Sequence, residues 1–112
     1  MSGLEPVERR TYNKIVRDNI PDIIARKGGL AETVVVTSAE ALELLKQKLV
    51  EEAEEIIAAE PDHLIEELAD ALEVIQAIAE EAGVPLAKVE EARVQKREER
   101  GGFSQRIKLI AS

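Results

Sequence analysis

Residues 48–70 read KLVEEAEEIIAAEPDHLIEELAD, two apolar-periodic stretches on either side of Pro61, each with carboxylates on the face it ought to bury. Upstream of the proline, Leu42, Leu45, Leu49 and Ile56 fall on one helical stripe, and Glu52 takes the vacant place between Leu49 and Ile56. Glu55 lies one turn from Glu52 on an adjoining line, whereas Glu51 and Glu54 point more toward water. Downstream, Leu64, Ala71, Val74 and Ile78 form the stripe, Glu67 sits between Leu64 and Ala71, and Asp70 follows one turn on. This second helix has another apolar face, Ile65, Leu68, Leu72, Ile75 and Ala79, so only a strip around Glu66, Glu73 and Glu80 is left for solvent. A helix of that kind is sandwiched between its own subunit on one side and, we infer, a second subunit on the other.

The flanks supply the boundaries. Thr37-Ser38-Ala39-Glu40 has the form of a capping box and opens the first long helix, which breaks at Pro61, where Asp62 can cap the next. The second long helix ends near Gly83; Pro85 fits the first turn of a third, which carries LAKVEEARVQKREER and stops at Gly101-Gly102. Ahead of them, NKIVRDNIPDIIARKGG reads as a short helix with Pro21 in its first turn and Gly28-Gly29 as its stop. The β-branched run Ala31–Thr37 and the tail FSQRIKLI read as strands that pair into a ribbon. The expected architecture is all-α: antiparallel helices in a bundle, a small two-stranded β ribbon beside them, and completion by oligomerisation. Residues 1–112 form one domain in this reading, with 1–11 a flexible tail.

Composition narrows the function. Of 112 residues, 45% are hydrophobic but only 2% aromatic, so Tyr12 and Phe103 stand alone and the core is aliphatic. A lone domain of this length buries only about two-thirds of its unfolded surface, which favours a partner subunit. The absence of cysteine removes disulfide, zinc-ribbon and thiolate chemistry. No apolar leader and no run near the roughly 20 residues of a membrane span is present, so the chain reads as soluble and cytoplasmic, without a membrane partner. A net charge of -8 and scarce aromatics argue against nucleic acid as a partner.

Burying an unpaired carboxylate costs several kcal/mol, and gathering four adds repulsion unless they protonate or a cation neutralises them. Magnesium suits the set: it is hard, takes oxygen ligands, and keeps waters that substrate phosphates can replace. The competing explanation is an Ala/Glu-rich helical protein whose solvated acids fall on a stripe by chance. A di-iron centre is disfavoured because no Glu-x-x-His pair exists; the sole histidine, His63, reads as a surface residue. A basic counterpart runs along the third helix through Arg93, Lys96 and Arg100, with Arg97 alongside, and is the main candidate for holding a phosphate chain. Helix-spaced pairing with Glu90, Glu91, Glu98 and Glu99 explains it equally well. Lys14 with Arg17, and Lys48 one turn before Glu52, are further basic candidates.

EEAEE, Glu51 to Glu55, followed by ELAD, Glu67 to Asp70, resembles the EExxE…ExxD signature of the MazG-like all-α nucleoside triphosphate pyrophosphohydrolases, a superfamily that includes phosphoribosyl-ATP pyrophosphohydrolase. YNKIVRDNIP and RGGFSQRIKLI resemble the ends of a small related group, so the likeness covers Tyr12 to Ile110. It implies a magnesium-dependent hydrolase, assembled as a homodimer or homotetramer, that cleaves a nucleoside triphosphate between its α- and β-phosphates to a monophosphate and pyrophosphate. Carried over by motif position, the metal ligands and catalytic residues would be Glu52, Glu55, Glu67 and Asp70, with Glu51 a secondary contributor; Lys14, Arg17, Lys48, Lys96, Arg97 and Arg100 are the basic residues expected on the phosphates. The Glu55 to Glu67 gap is near the short end for the family. DHLIEELAD is especially like the phosphoribosyl-ATP enzyme, but the two ends are not, which favours nucleotide-pool house-cleaning over histidine biosynthesis. A non-catalytic helical assembly module is the rival from another class.

Overall fold

In the computed structural model, which describes residues 11–112, a capped start, a proline break and glycine stops divide the chain into helices. Helix α1 spans Ile20–Arg26, α2 Ser38–Ala58, α3 Leu64–Glu81 and α4 Leu86–Arg100, with a single 3-10 turn, Pro61–His63, between α2 and α3. Thr37 is extended and its Oγ1 accepts from the Glu40 N–H at 3.2 Å, which forms the N-cap half of the expected box at the start of α2. Proline stands in the first turn of α1, which gives way to a left-handed Gly28. Gly83, at φ +69, closes α3 with its N–H on the Glu80 carbonyl, and the Val84 N–H returns to the Ala79 carbonyl. Two boundaries differ from expectation. His63, not Asp62, holds the N-cap position of α3, because the proline winds Asp62 into the 3-10 turn. Pro85 stands one residue ahead of α4 rather than within its first turn.

Helices α2 and α3 form an antiparallel hairpin. Ser38 Oγ, at the start of α2, donates to Glu81 Oε2, at the end of α3, at 2.6 Å. That bond sets the register: Leu45 and Val74 lie at similar heights, and Glu52 lies opposite Glu67 and Asp70. The buried apolar residues among those described are few, Ala41 and Leu45 from α2 and Val74 and Ala79 from α3, and each keeps a little exposure. Helix α4 packs against α3 alone among the helices, and α1 packs against none. The result is long, 71 × 33 × 27 Å, with a radius of gyration of 19.5 Å. A compact chain of this length has about 13 Å.

The ribbon is not found: among the described residues there is no strand, so the all-α class stands without it. Both segments expected to pair run without regular structure. Val34, Val35, Phe103, Ile107, Leu109 and Ile110 all face solvent, so neither segment has the apolar surface to lie on that a two-stranded ribbon needs. The expected tail, 1–11, lies outside the described residues except for Thr11. Among the described residues no helix is long and apolar enough to cross a membrane.

Two substitutions test this hairpin. Thr37→Ala should cost about 1 kcal/mol through the lost cap, and Leu45→Ala at least about 2 kcal/mol through the cavity it leaves. Urea denaturation at fixed protein concentration reads both.

Candidate functional site

The hairpin register carries one polar layer into an otherwise aliphatic seam. Glu52 is the one charged residue among the described residues that is buried, at 8% exposure. Glu67 and Asp70, from the first half of α3, are half-buried beside it. One carboxylate oxygen from each of the three lies within 4.8 Å of the other two. The i, i+3 spacing of Glu67 and Asp70 places both on the side of α3 that faces Glu52.

Like charges at this range strain the site electrostatically. Burial, then the charge of Asp70, pushes the Glu52 carboxyl above the usual carboxylate range, and the Lys48 ammonium only partly opposes them. Lys48 Nζ stands 3.9 Å from Glu52 Oε1, too far for a hydrogen bond. Glu52 accepts no hydrogen bond from any described side chain, although its body is enclosed. Three convergent, oxygen-only, acidic donors suit a hard divalent cation, which gathers such ligands at about 2.0–2.6 Å. Oxygens within 4.8 Å of one another have the mutual spacing that ligands of one such ion take.

Two cations reach the rim from the N-terminal side. Lys14 Nζ donates to Glu51 Oε1 at 2.8 Å, and Arg17 Nη2 donates to Asp70 Oδ1 at 2.7 Å. The Lys14 bond holds Glu51 below the usual carboxylate range and raises Lys14 in return. Lys14 Nζ also lies 5.6 Å from the centre of the Tyr12 ring.

Of the four expected ligands, then, three come together, Glu52, Glu67 and Asp70. Glu55 is exposed and is not one of the converging three. At three residues past Glu52 it is rotated about 60° off the buried line, enough to leave the narrow seam of a two-helix hairpin. Of the expected phosphate ligands, Lys14, Arg17 and Lys48 are at the carboxylates. Lys96, Arg97 and Arg100 are exposed on α4. Lys96 lines a groove with Val84, Lys88, Val89, Ala92 and Arg93, and Arg100 lines a second hollow beside Phe103 and Arg106; neither includes a carboxylate of the cluster. Arg93 and Lys88 are engaged within their own helix, on Glu90 and Glu91. The partnership of Arg17 with Asp70 escaped sequence reasoning, since nothing local links residues 53 apart.

Comparison with protein-family models, with curated proteins and with solved structures finds no match to this chain.

The raised Glu52 carboxyl has a signed consequence. In the window from the ordinary glutamate pKa up to the raised folded value, the folded state holds the extra proton, so stability falls as pH rises. Above that window the penalty is complete. In EDTA, Glu52→Gln should therefore raise the melting midpoint at pH 7, and the gain should vanish below the ordinary glutamate pKa. A midpoint lowered at pH 7 would show that Glu52 is held by partners rather than repelled by its neighbours.

Proposed function

We propose that the chain is a magnesium-dependent nucleoside triphosphate pyrophosphohydrolase, which splits its substrate between the α- and β-phosphates into a monophosphate and pyrophosphate. The convergence of Glu52, Glu67 and Asp70 in the α2–α3 seam is the observation that carries this reading. An acidic layer in an aliphatic interface has no packing rationale, whereas oxygen donors at that spacing fit a hard cation and, through it, a phosphate chain. The EExxE…ExxD spacing, similar to that of MazG-like enzymes, supports the same assignment.

When bound, magnesium supplies a charge that polarises phosphoryl oxygens and makes a coordinated water more acidic. Glu52, Glu67 and Asp70 would hold and orient the ion. Glu55, exposed one turn along α2, is our choice of base: its carboxylate would take the proton of the water as the water oxygen bonds to phosphorus and the bond to the departing pyrophosphate breaks. Lys14, Arg17 and Lys48, at the rim of the carboxylates, would neutralise the negative charge of the phosphates. Lys96, Arg97 and Arg100 join them only if an assembly carries α4 across to the site of another subunit.

Assembly is part of the proposal. The chain exposes 10340 Å², against about 6,100 Å² for a compact monomer of its mass. Ile65, Leu68, Leu72 and Ile75 on α3 and Val50 and Ile57 on α2 are all exposed, which leaves apolar side chains for a second subunit to cover. A homodimer or homotetramer built on these faces completes the bundle. The role we assign is cytoplasmic house-cleaning of the nucleotide pool; hydrolysis of phosphoribosyl-ATP is the alternative within the same chemistry. An assembly module without catalysis would share the apolar faces but leave the carboxylate layer without purpose.

Pyrophosphate release from a panel of standard and modified nucleoside triphosphates and phosphoribosyl-ATP tests the activity. Release should require magnesium, stop in EDTA, and fall by more than about 100-fold in Glu52→Ala and Asp70→Ala, since even outer partners of a metal ligand are worth about 10–100-fold. Unchanged rates in both variants would remove these carboxylates from the chemistry. In light scattering coupled to size exclusion, the chain should run at twice its 12.3 kDa mass or more; a stable monomer would refute the assembly.

A further inference from the structure

The cations at the carboxylate layer are already engaged, and unequally. Arg17 and Lys14 belong to the segment that precedes α1, which has no regular structure. The segment turns at Asn13, a left-handed residue at φ +49, and is tied to α3 by Arg17 on Asp70 and to α2 by Lys14 on Glu51. Both pairs are about half exposed. Glu52, buried with 11% of its side chain exposed, receives no hydrogen bond from a described side chain and has Lys48 as a loose ion-pair partner at 3.9 Å. Asp70 is therefore held by a hydrogen-bonded counterion, and Glu52 only by a looser one.

Resting on the reading of this site as a divalent-cation site, we propose that the 13–17 segment is an exchangeable counter-cation strap: a divalent ion held by Glu52, Glu67 and Asp70 displaces Arg17 from Asp70, and the released guanidinium becomes a ligand for the phosphates of the incoming nucleotide. An ion sharing Asp70 comes within about 5 Å of the guanidinium. A divalent and a univalent cation at that range repel more strongly than a half-exposed ion pair attracts. Arginine is suited to both stations, since its planar fork fits carboxylate and phosphate alike. The strap also orders the steps: in an unloaded site the Arg17 Nη2 is engaged on Asp70, and cation binding frees it for a phosphate. Lys14, on Glu51 outside the converging three, remains the anchor about which the strap moves.

The chain carries its own reporter. Tyr12 is the single tyrosine, there is no tryptophan, and its ring lies 5.6 Å from Lys14 Nζ at the foot of the strap. Magnesium is titrated into full-length wild type and Arg17→Gln, with heat measured calorimetrically and Tyr12 emission followed in parallel. Wild type should change Tyr12 emission along the binding isotherm. Arg17→Gln should bind magnesium about three- to fivefold more tightly, the scale on which a half-exposed ion pair competes, and its magnesium-loaded form should bind tripolyphosphate more weakly than loaded wild type. Magnesium heat with unchanged or weaker affinity in Arg17→Gln overturns the exchange and leaves the cation site standing. No magnesium heat in either protein overturns the site and the exchange together.

Discussion

Glu52 is the constraint on which the rest turns. Its place on α2 is one that an aliphatic residue would fill, and the hairpin that buries it brings Glu67 and Asp70 to the same layer. A buried carboxylate beside two others is unfavourable in the free chain, and a substitution that removed it would strengthen the seam. That layer works against the stability of the seam, while its neighbours at Leu45 and Val74 pack normally, and this contrast is what the proposed cation site explains. The cations at the rim follow from that charge: Arg17 and Lys14 bring an otherwise irregular segment against α2 and α3.

The second feature is thinness. Among the described residues four small or medium apolar side chains make up the buried aliphatic core, and α4 leaves the hairpin rather than folding along it. A hairpin has one seam, but α3 has two apolar faces, so one of them stays open in the single chain. The same geometry accounts for the two extended segments. Val34, Val35, Ile107 and Ile110 carry the residues of a half-buried strand, with no surface in the chain to bury them against.

Local chemistry was legible in the sequence wherever local chemistry decides. The Thr37 cap, the break at Pro61 and the left-handed stops at Gly28, Gly83 and Gly101 each follow from one or two residues. The burial of Glu52 was legible too, because a helical stripe has only one residue for each height. The ribbon was not, since β-branched runs specify a strand only when a partner and a covered face exist. Glu55 shows the limit of a helical wheel: two lines 60° apart look equivalent until the width of the partner face is known, and a single α3 covers only one. Arg17 on Asp70 lay beyond reach for a different reason, as a tertiary contact across 53 positions with no periodicity to announce it.

The most direct test of the central claim, that this acidic layer is built for a hard divalent cation, is the melting midpoint of wild type as magnesium is titrated against an EDTA baseline. A ligand that binds only the folded chain raises the midpoint by mass action, and the rise continues with the logarithm of concentration above its dissociation constant. The account predicts that rise in wild type and its loss in Glu67→Ala. A midpoint that stays flat through millimolar magnesium, or that rises equally in Glu67→Ala, would contradict it.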